Sequence, residues 1–306
     1  MSPESLRIGT RGSALALWQA NYVKSRIERA SPGTAVRIET IKTSGDRIQD
    51  RALLEVGGKG LFVKEIQQAL LEGDVDLAVH SLKDYPAENP EALVLACVPE
   101  RQDPRDALVL PPGKRTEDLP AHAKVGTGSL RRHHQLQAVH PDWEVVGLRG
   151  NVDTRLRKVD GGEMDAVVLA AAGLNRLGHG GRITRLFALD EMVPAVGQGA
   201  IALEARRDAA GVLEFLSSLQ DEKARREIDA ERRFLQGLGG SCTTPLGIHA
   251  EIAGGRIVIR GFLASLDGSR QIRKTEEGDA GRALDLADRL LEAFWAMGAA
   301  ELLGRE

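Results

Sequence analysis

The sequence predicts an α/β chain: two doubly wound lobes followed by a small C-terminal α+β domain. Three observations lead there. Strand-like and helix-like runs alternate up to about residue 206, the pattern of parallel βαβ units. A strand, glycine turn and helix start occurs twice, as "RIGTRGSALAL" (7–17) and "KVGTGSLRRHHQL" (124–136), each placing Gly-Thr at a strand end and Ser at a helix start. Beyond residue 248 the alternation gives way to short runs separated by glycine turns, which read as antiparallel strands.

Taken in order, "LRIG" (6–9) is a strand, "TRGS" a turn, and "ALALWQANYVKSRIE" (14–28) a helix with Ser13 as its N-cap. "VRIETI" (36–41) is the next strand, broken by "KTSGDR". "LFVKEIQQALLEG" (61–73) is an amphipathic helix that Gly73 ends. "VDLAVHSL" (75–82) is a buried strand closed by "KDYP". The second lobe restarts the pattern: "AKVGTGSLRRHHQLQAVHP" (123–141), the strand and turn "WEVVGLRGN" (143–151), a helix from "VDTRLRKVDGGEM", and the strand "DAVVLAAAGL" (165–174) leading into a turn. "VPAVGQGAIALEAR" (193–206) is a glycine-rich turn and an apolar strand that returns the chain to the first lobe. "DEKARREIDAERRFLQGLG" (221–239) is a helix whose interleaved charges suit solvent. The tail has strands turning at Gly254-Gly255 and Asp267-Gly268, then a final helix through about residue 302. The expected domains are 1–99 with 200–217, 105–193, and 222–306, the last carrying Cys242.

Composition narrows the function. The 306 residues are 42% hydrophobic and 28% charged, ordinary for a globular protein that folds without metal or disulfide. A net charge of −3 argues against a general nucleic-acid binder. The start, "MSPESLRIGTRG", has no apolar core of signal-peptide length, and the longest apolar run, "AVVLAAAGL" (166–174), is about half a membrane span. Cys97 and Cys242 are far apart in the chain; they are expected as reduced thiols in a cytoplasm, and a disulfide between them is disfavoured.

Positive charge gathers in Gly/Ser/Thr-rich stretches, "GTRGS", "GTGSLRR" and "LRGNVDTRLRK". Arg11, Ser13, Thr127, Ser129, Arg131 and Arg132 fall beyond the carboxyl ends of strands, where open α/β sheets bind ligands. N–H groups at a helix start and forked guanidiniums both favour anions. Several such groups together imply a ligand with several anionic groups. For Arg157 and Lys158 the plainer reading is surface ion pairing. "GTGSLR" matches only half of G-x-G-x-x-G, and the next strand ends in Arg149 where a ribose-binding acid would stand, so a dinucleotide site is disfavoured. "GGKGLF" is not a P-loop. The seven histidines lack metal-site spacing, and His133 and His134, as sequence neighbours on a helix, are expected to point apart. In "HSLKDYP" (80–86) a strand delivers Ser81, Lys83 and Asp84 to its end. Asp84 either serves as a general acid/base and stabiliser of positive charge, or only pairs with Lys83 or caps the turn. Cys242, in "GGSCTTPLG" (239–247), is either a buried small residue or an attachment point on a constrained turn.

Together these segments resemble the porphobilinogen deaminase (hydroxymethylbilane synthase) family across essentially the whole chain. The carriers are "IGTRGSALALWQA", "GGKGLFVKEI", "DLAVHSLKDYP", "GTGSLRRHHQL", "LRGNVDTRLRK", "LAAAGLNRL", "PAVGQGAIALEAR" and Gly-Ser-Cys-x-x-Pro, in that order. The resemblance implies lobes like those of two-domain periplasmic binding proteins. It implies a transferase that joins four porphobilinogen units head to tail with loss of ammonia. The linear tetrapyrrole, hydroxymethylbilane, is then released by hydrolysis. It implies a dipyrromethane cofactor held by a thioether to Cys242, with Lys83, Ser81, Thr127, Ser129, Arg131 and Arg132 around it. Asp84 matches the catalytic aspartate, which would stabilise the electron-poor azafulvene left when ammonia departs. Arg11, Ser13, Arg149, Arg155, Arg176, Gln198, Lys59 and Phe62 are the substrate-binding positions the resemblance implies, the last two at the end of a stretch, 43–60, that could act as a lid. The growing chain would have to shift past one aspartate, with domain movement about residues 99–105 and 193–200. A cytoplasmic monomer without metal is implied. The sequence departs from the family's usual residues at Glu55, at Tyr85, where a smaller apolar residue is usual, and at Thr243-Thr244. From another class, a non-catalytic two-lobed anion-binding protein would share the basic turns but need neither Asp84 nor Cys242.

Overall fold

The computed structural model describes residues 3–44, 63–240 and 244–305. The chain divides into two compact units, 1–102 with 200–226, and 103–199 with 227–306.

The first unit is built on a five-stranded sheet. Its strands are β1 (Ser5–Thr10), β2 (Ala35–Thr40), β3 (Leu77–Ser81), β4 (Leu93–Cys97) and β10 (Ile201–Arg206), in the order β2-β1-β3-β10-β4. Helix α1 (Ala14–Ala30) turns Ala16, Ala20, Val23 and Ile27 inward, a helical spacing that lays one apolar stripe on the sheet. That stripe meets Leu6, Ile8, Leu77, Val79 and Leu203 in one core. Each fully buried aliphatic side chain contributes about 1.5–3 kcal/mol, so the stripe fixes the helix on its face of the sheet. Helix α2 (Lys64–Glu72) ends as the sequence predicts, at Gly73 with φ 78°, a left-handed turn that favours glycine.

In the second unit a five-stranded sheet runs β7 (Glu144–Gly147), β6 (Lys124–Thr127), β8 (Ala166–Ala170), β5 (Asp106–Val109), β9 (Arg185–Leu186). Helix α3 (Leu130–Val139) follows β6, and α4 (Val152–Asp160) follows β7. Helix α5 (Ala171–Arg176) leaves β8 directly, where the sequence suggests only a turn. The same unit holds the antiparallel sheet β11 (Leu246–Ala253), β12 (Arg256–Ala264), β13 (Gln271–Asp279). Helix α8 (Ala283–Ala296) buries Leu286, Leu290 and Phe294, and Phe294 meets Phe234 of α7 (Glu222–Leu238) edge-on at 4.9 Å. Two sheets of α/β type and a small C-terminal α+β element are therefore the predicted fold class.

Several local expectations are corrected. Neither large sheet is purely parallel: β10 runs antiparallel to β3 and β4, and β5 antiparallel to β8 and β9. Strands β4, β5 and β9 and helix α6 (Ala210–Ser217) are additional to the predicted elements. The final helix is interrupted at Gly298, φ 92°, before the short α9 (Ala299–Leu302). The His133 and His134 rings lie edge-on with centroids 5.3 Å apart instead of diverging. Among the described residues no group of three or more His, Cys, Asp and Glu could hold a metal ion. No described helix is long and apolar enough to cross a membrane.

Candidate active site

In the first unit, β1 and β3 are parallel neighbours, with Ile8 beside Leu77. The turns that follow them therefore open on the same edge of the sheet. Arg11 and Ser13 lie on the first turn, and Ser81, Lys83 and Asp84 on the second. Ser13 is the N-cap of α1: its Oγ accepts the Ala16 N–H at 3.3 Å. Ser81 Oγ pairs with the side-chain amide of Gln19 at 3.0–3.1 Å. Leu82–Asp84 form one turn of 3₁₀ helix, with Leu82 buried, Asp84 half-buried and Lys83 exposed. The Asp84 carboxylate has no hydrogen bond or ion pair among the described residues. Of the sequence's two structural alternatives for Asp84, pairing with Lys83 or capping the turn, neither is formed here.

In the second unit, β6 is parallel to both β7 and β8. The turns after these three strands thus share an edge, which gathers Thr127, Ser129, Arg131, Arg132, Arg149, Arg155 and, through α5, Arg176. Ser129 caps α3, accepting the Arg132 N–H at 3.4 Å, and donates its own N–H to Thr127 Oγ1 at 3.3 Å. Gly128 is needed in this turn, because a Cβ there would stand 2.6 Å from the Leu148 carbonyl oxygen.

Strand β5 enters the same edge from the opposite direction. The register pairs Asp106 with Ala170, the last residue of β8. Asp106 is fully buried and organises the cations around it. Arg131 Nη1 donates to Asp106 Oδ2 at 2.7 Å and to the Val193 carbonyl at 2.7 Å. Arg132 Nε donates to Asp106 Oδ1 at 2.9 Å, and its Nη1 donates to the Val168 carbonyl at 3.0 Å. Gln198 Nε2 donates to Asp106 Oδ1 at 2.9 Å and to the Pro104 carbonyl at 2.6 Å. Burial alone would raise the Asp106 pKa; the charges of Arg131 and Arg132, with their hydrogen bonds, hold it down at about 2. Arg176 Nη2 donates to the Gly199 carbonyl at 2.7 Å. Gly197 N–H in turn donates to Glu231 of α7 at 2.6 Å, so helix α7 braces the turn that carries Gln198.

The charges here do not balance. One carboxylate serves two buried guanidiniums. Arg155 adds a third, half-buried, whose Nε donates to the Gly150 carbonyl at 2.9 Å. Its pKa falls to about 10, first from desolvation and then from the positive charges of Arg132 and Arg149. Arg149 is exposed beside it. Clustered cations repel one another, and a site of this kind favours anions. Lys158, by contrast, pairs at the surface with Glu163 at 3.6 Å, the plainer of the two readings its sequence left open.

Asp106, Glu231 and Glu204 are functional-site neighbours that the sequence reading misses. An acid opening the buried run "DALVL" (106–110) was the available signal for the first. Cys242, Lys59 and Phe62 lie outside the described residues, as do Glu55 and Thr243.

Such a fold and such a strand edge define a class: α/β proteins with guanidiniums set beyond strand ends, a place suited to anions. Comparison with known proteins narrows it. The family described as "Porphobilinogen deaminase, dipyromethane cofactor binding domain" matches residues 6–214, and its C-terminal domain matches residues 225–296. The porphobilinogen deaminase of Geobacter metallireducens is 46% identical over 303 residues, covering 99% of this chain and 95% of that protein. That of Nitratidesulfovibrio vulgaris is 49% identical over 300 residues, covering 97% and 95%. Among solved structures, the methionine-binding protein MetQ is similar at a TM-score of 0.46 and 14% identity, covering 73% of this chain and 93% of that one. The chain belongs to the porphobilinogen deaminase family.

Proposed function

We infer that this chain joins four porphobilinogen units head to tail, releasing ammonia at each addition, and frees hydroxymethylbilane by hydrolysis; porphobilinogen deaminase activity in tetrapyrrole biosynthesis is what family membership establishes. The observation that carries the residue assignment is the surplus of guanidinium around Asp106. A dipyrromethane, with its acetate and propionate groups, fits that surplus. Arg131, Arg132, Thr127 and Ser129 are assigned to hold it, and on their motif Lys83 and Ser81 are assigned to it as well; Arg155 is assigned to substrate. The chemistry that the group supplies when bound is a free pyrrole carbon to which the first substrate is joined.

The chain's own residues do the rest. Arg11, Arg149 and Arg176 bind substrate carboxylates, each charge-assisted bond contributing about 1.5–3 kcal/mol net. Ser13 and Gln198 support them. Lys59 and Phe62 are assigned to substrate binding on their place in the sequence. Among the described residues nothing engages the Asp84 carboxylate, which can face the positive charge that develops as ammonia leaves. It can then accept the pyrrole proton released when the new bond forms. Cys242 is assigned as the thioether anchor on its motif. Three separate sheets support domains 1–99 with 200–217, 105–193 and 222–306. A cytoplasmic monomer is our assignment. Cys97 is compatible with a reducing compartment: it is a free thiol that burial pushes up to about 12 in pKa.

Intact-mass spectrometry tests the assignment. The purified protein is expected to carry an excess mass equal to two linked pyrrole units, and Cys242→Ala is expected to lack it. An unmodified protein that still fails to consume porphobilinogen after incubation with it would leave only the anion-binding reading. Asp84→Asn is expected to keep the adduct while turning over slowly; near-normal turnover removes Asp84 from the mechanism.

A further inference from the structure

Among the described residues no side-chain contact fixes Asp84, yet a residue that acts on developing charge must be held in place. The turn that carries it is fixed at both flanks. Before it, Leu82 is buried and its N–H donates to the Ala200 carbonyl at 3.1 Å. After it, Tyr85 is buried and its hydroxyl donates to Glu204 Oε1 at 3.0 Å. Glu204, on β10, is completely buried. Its Oε1 also accepts from Gln67 Nε2 at 2.8 Å, and its Oε2 faces His80 Nε2 at 3.1 Å. The His80 ring, one strand residue before Ser81, lies 5.7 Å from the Tyr85 ring. Gln67 reaches on to Asn89 Oδ1 at 3.1 Å. One buried carboxylate thus ties α2, β3, the Asp84 turn, the loop at Asn89 and β10 together.

This knot is not used by the mechanism above. We propose that Tyr85 is a positioning residue for Asp84: through its hydrogen bond to Glu204 it holds the 3₁₀ turn, and with it the carboxylate, in the reactive place. The inference rests on the reading of Asp84 as the catalytic carboxylate. A buried carboxylate that loses one donor takes up another position or partner, and the turn follows.

Tyr85→Phe tests this with the ring and its burial retained. Rates are measured per cofactor-loaded molecule, the loaded fraction being read by intact mass. The expected result is a fall in kcat of about tenfold, since displacements near 1 Å cost up to about a hundredfold, with KM for porphobilinogen changed by less than about twofold. In an Asp84→Asn background the same substitution is expected to change nothing further. Glu204→Gln is expected to lower kcat alike and not additively with Tyr85→Phe. Wild-type kcat in Tyr85→Phe overturns the proposal. So does a loss that vanishes on normalising to loaded protein, or one that persists in full beside Asp84→Asn. Normal turnover of Asp84→Asn alone sinks the reading of Asp84 instead, so the two failures are told apart.

Discussion

Arg155 shows how the charge around a single residue bears on what it can bind. A half-buried guanidinium normally sits beside a carboxylate; here desolvation and two neighbouring arginines lower its pKa to about 10. That arrangement is unfavourable in the protein alone and favourable once carboxylates arrive. Replacing Arg155 with Met should therefore weaken the handling of substrate or cofactor carboxylates by about tenfold or more, the equivalent of one charge-assisted bond. The bare fold should lose little stability, because one source of repulsion leaves with the charge. Steady-state KM together with urea unfolding measures both. A KM within error of wild type would return Arg155 to a structural role. Arg149 is exposed beside it, where solvent screens charge, and Arg149→Ala is expected to have the smaller effect of the two in the same assay.

At the scale of elements, the strand–turn–helix starts do two things at once. Ser13 and Ser129 are N-caps as well as candidate ligand contacts, and a cap contributes about 1 kcal/mol. Ser129→Ala should cost about that much stability and also slow turnover. Ser129→Asp keeps the cap but sets a carboxylate among the arginines; it should recover the stability and turn over still more slowly. If both properties recover together, Ser129 only caps. These starts were legible in the sequence because local chemistry specifies them: glycine where a Cβ would strike a carbonyl, serine where free N–H groups need an acceptor. Strand direction was not legible in the same way. Strands β5 and β10 are short apolar runs without alternation, and what makes them antiparallel is their partners, far away in the chain. Asp106 was missed for the same reason. Its meaning depends on Arg131 and Arg132, and only the reversed entry of β5 brings them together. Tyr85 was visible as an odd residue, but its partner Glu204 stands on the returning strand. The local half of the site could be read from motifs, whereas the half made by long-range pairing needed the fold.

For the whole molecule, the charge cluster around Asp106 makes stability depend on acid. The carboxyl has an ordinary pKa of 3.8 when unfolded and about 2 when folded. A depressed folded pKa means that the stabilisation is fully present above the unfolded value and is lost as pH falls through the folded one. The amount is about 2 kcal/mol, from the linkage between pKa shift and free energy. Wild-type stability should thus fall steeply between about pH 4 and pH 2, beyond the fall due to surface carboxylates. Asp106→Asn removes this titration and leaves Arg131 and Arg132 facing a neutral amide. At pH 7 the variant should be less stable by roughly 3–5 kcal/mol, the cost of leaving buried charge uncompensated. Below pH 2 the gap should narrow, because the wild-type carboxyl is then neutral as well. Thermal unfolding of both proteins from pH 7 to pH 2 decides it. Converging curves follow if Asp106 is the anion around which the arginines are assembled. Parallel curves would mean that the two guanidiniums are held by their carbonyl partners Val193 and Val168 and that the carboxylate is incidental to folding.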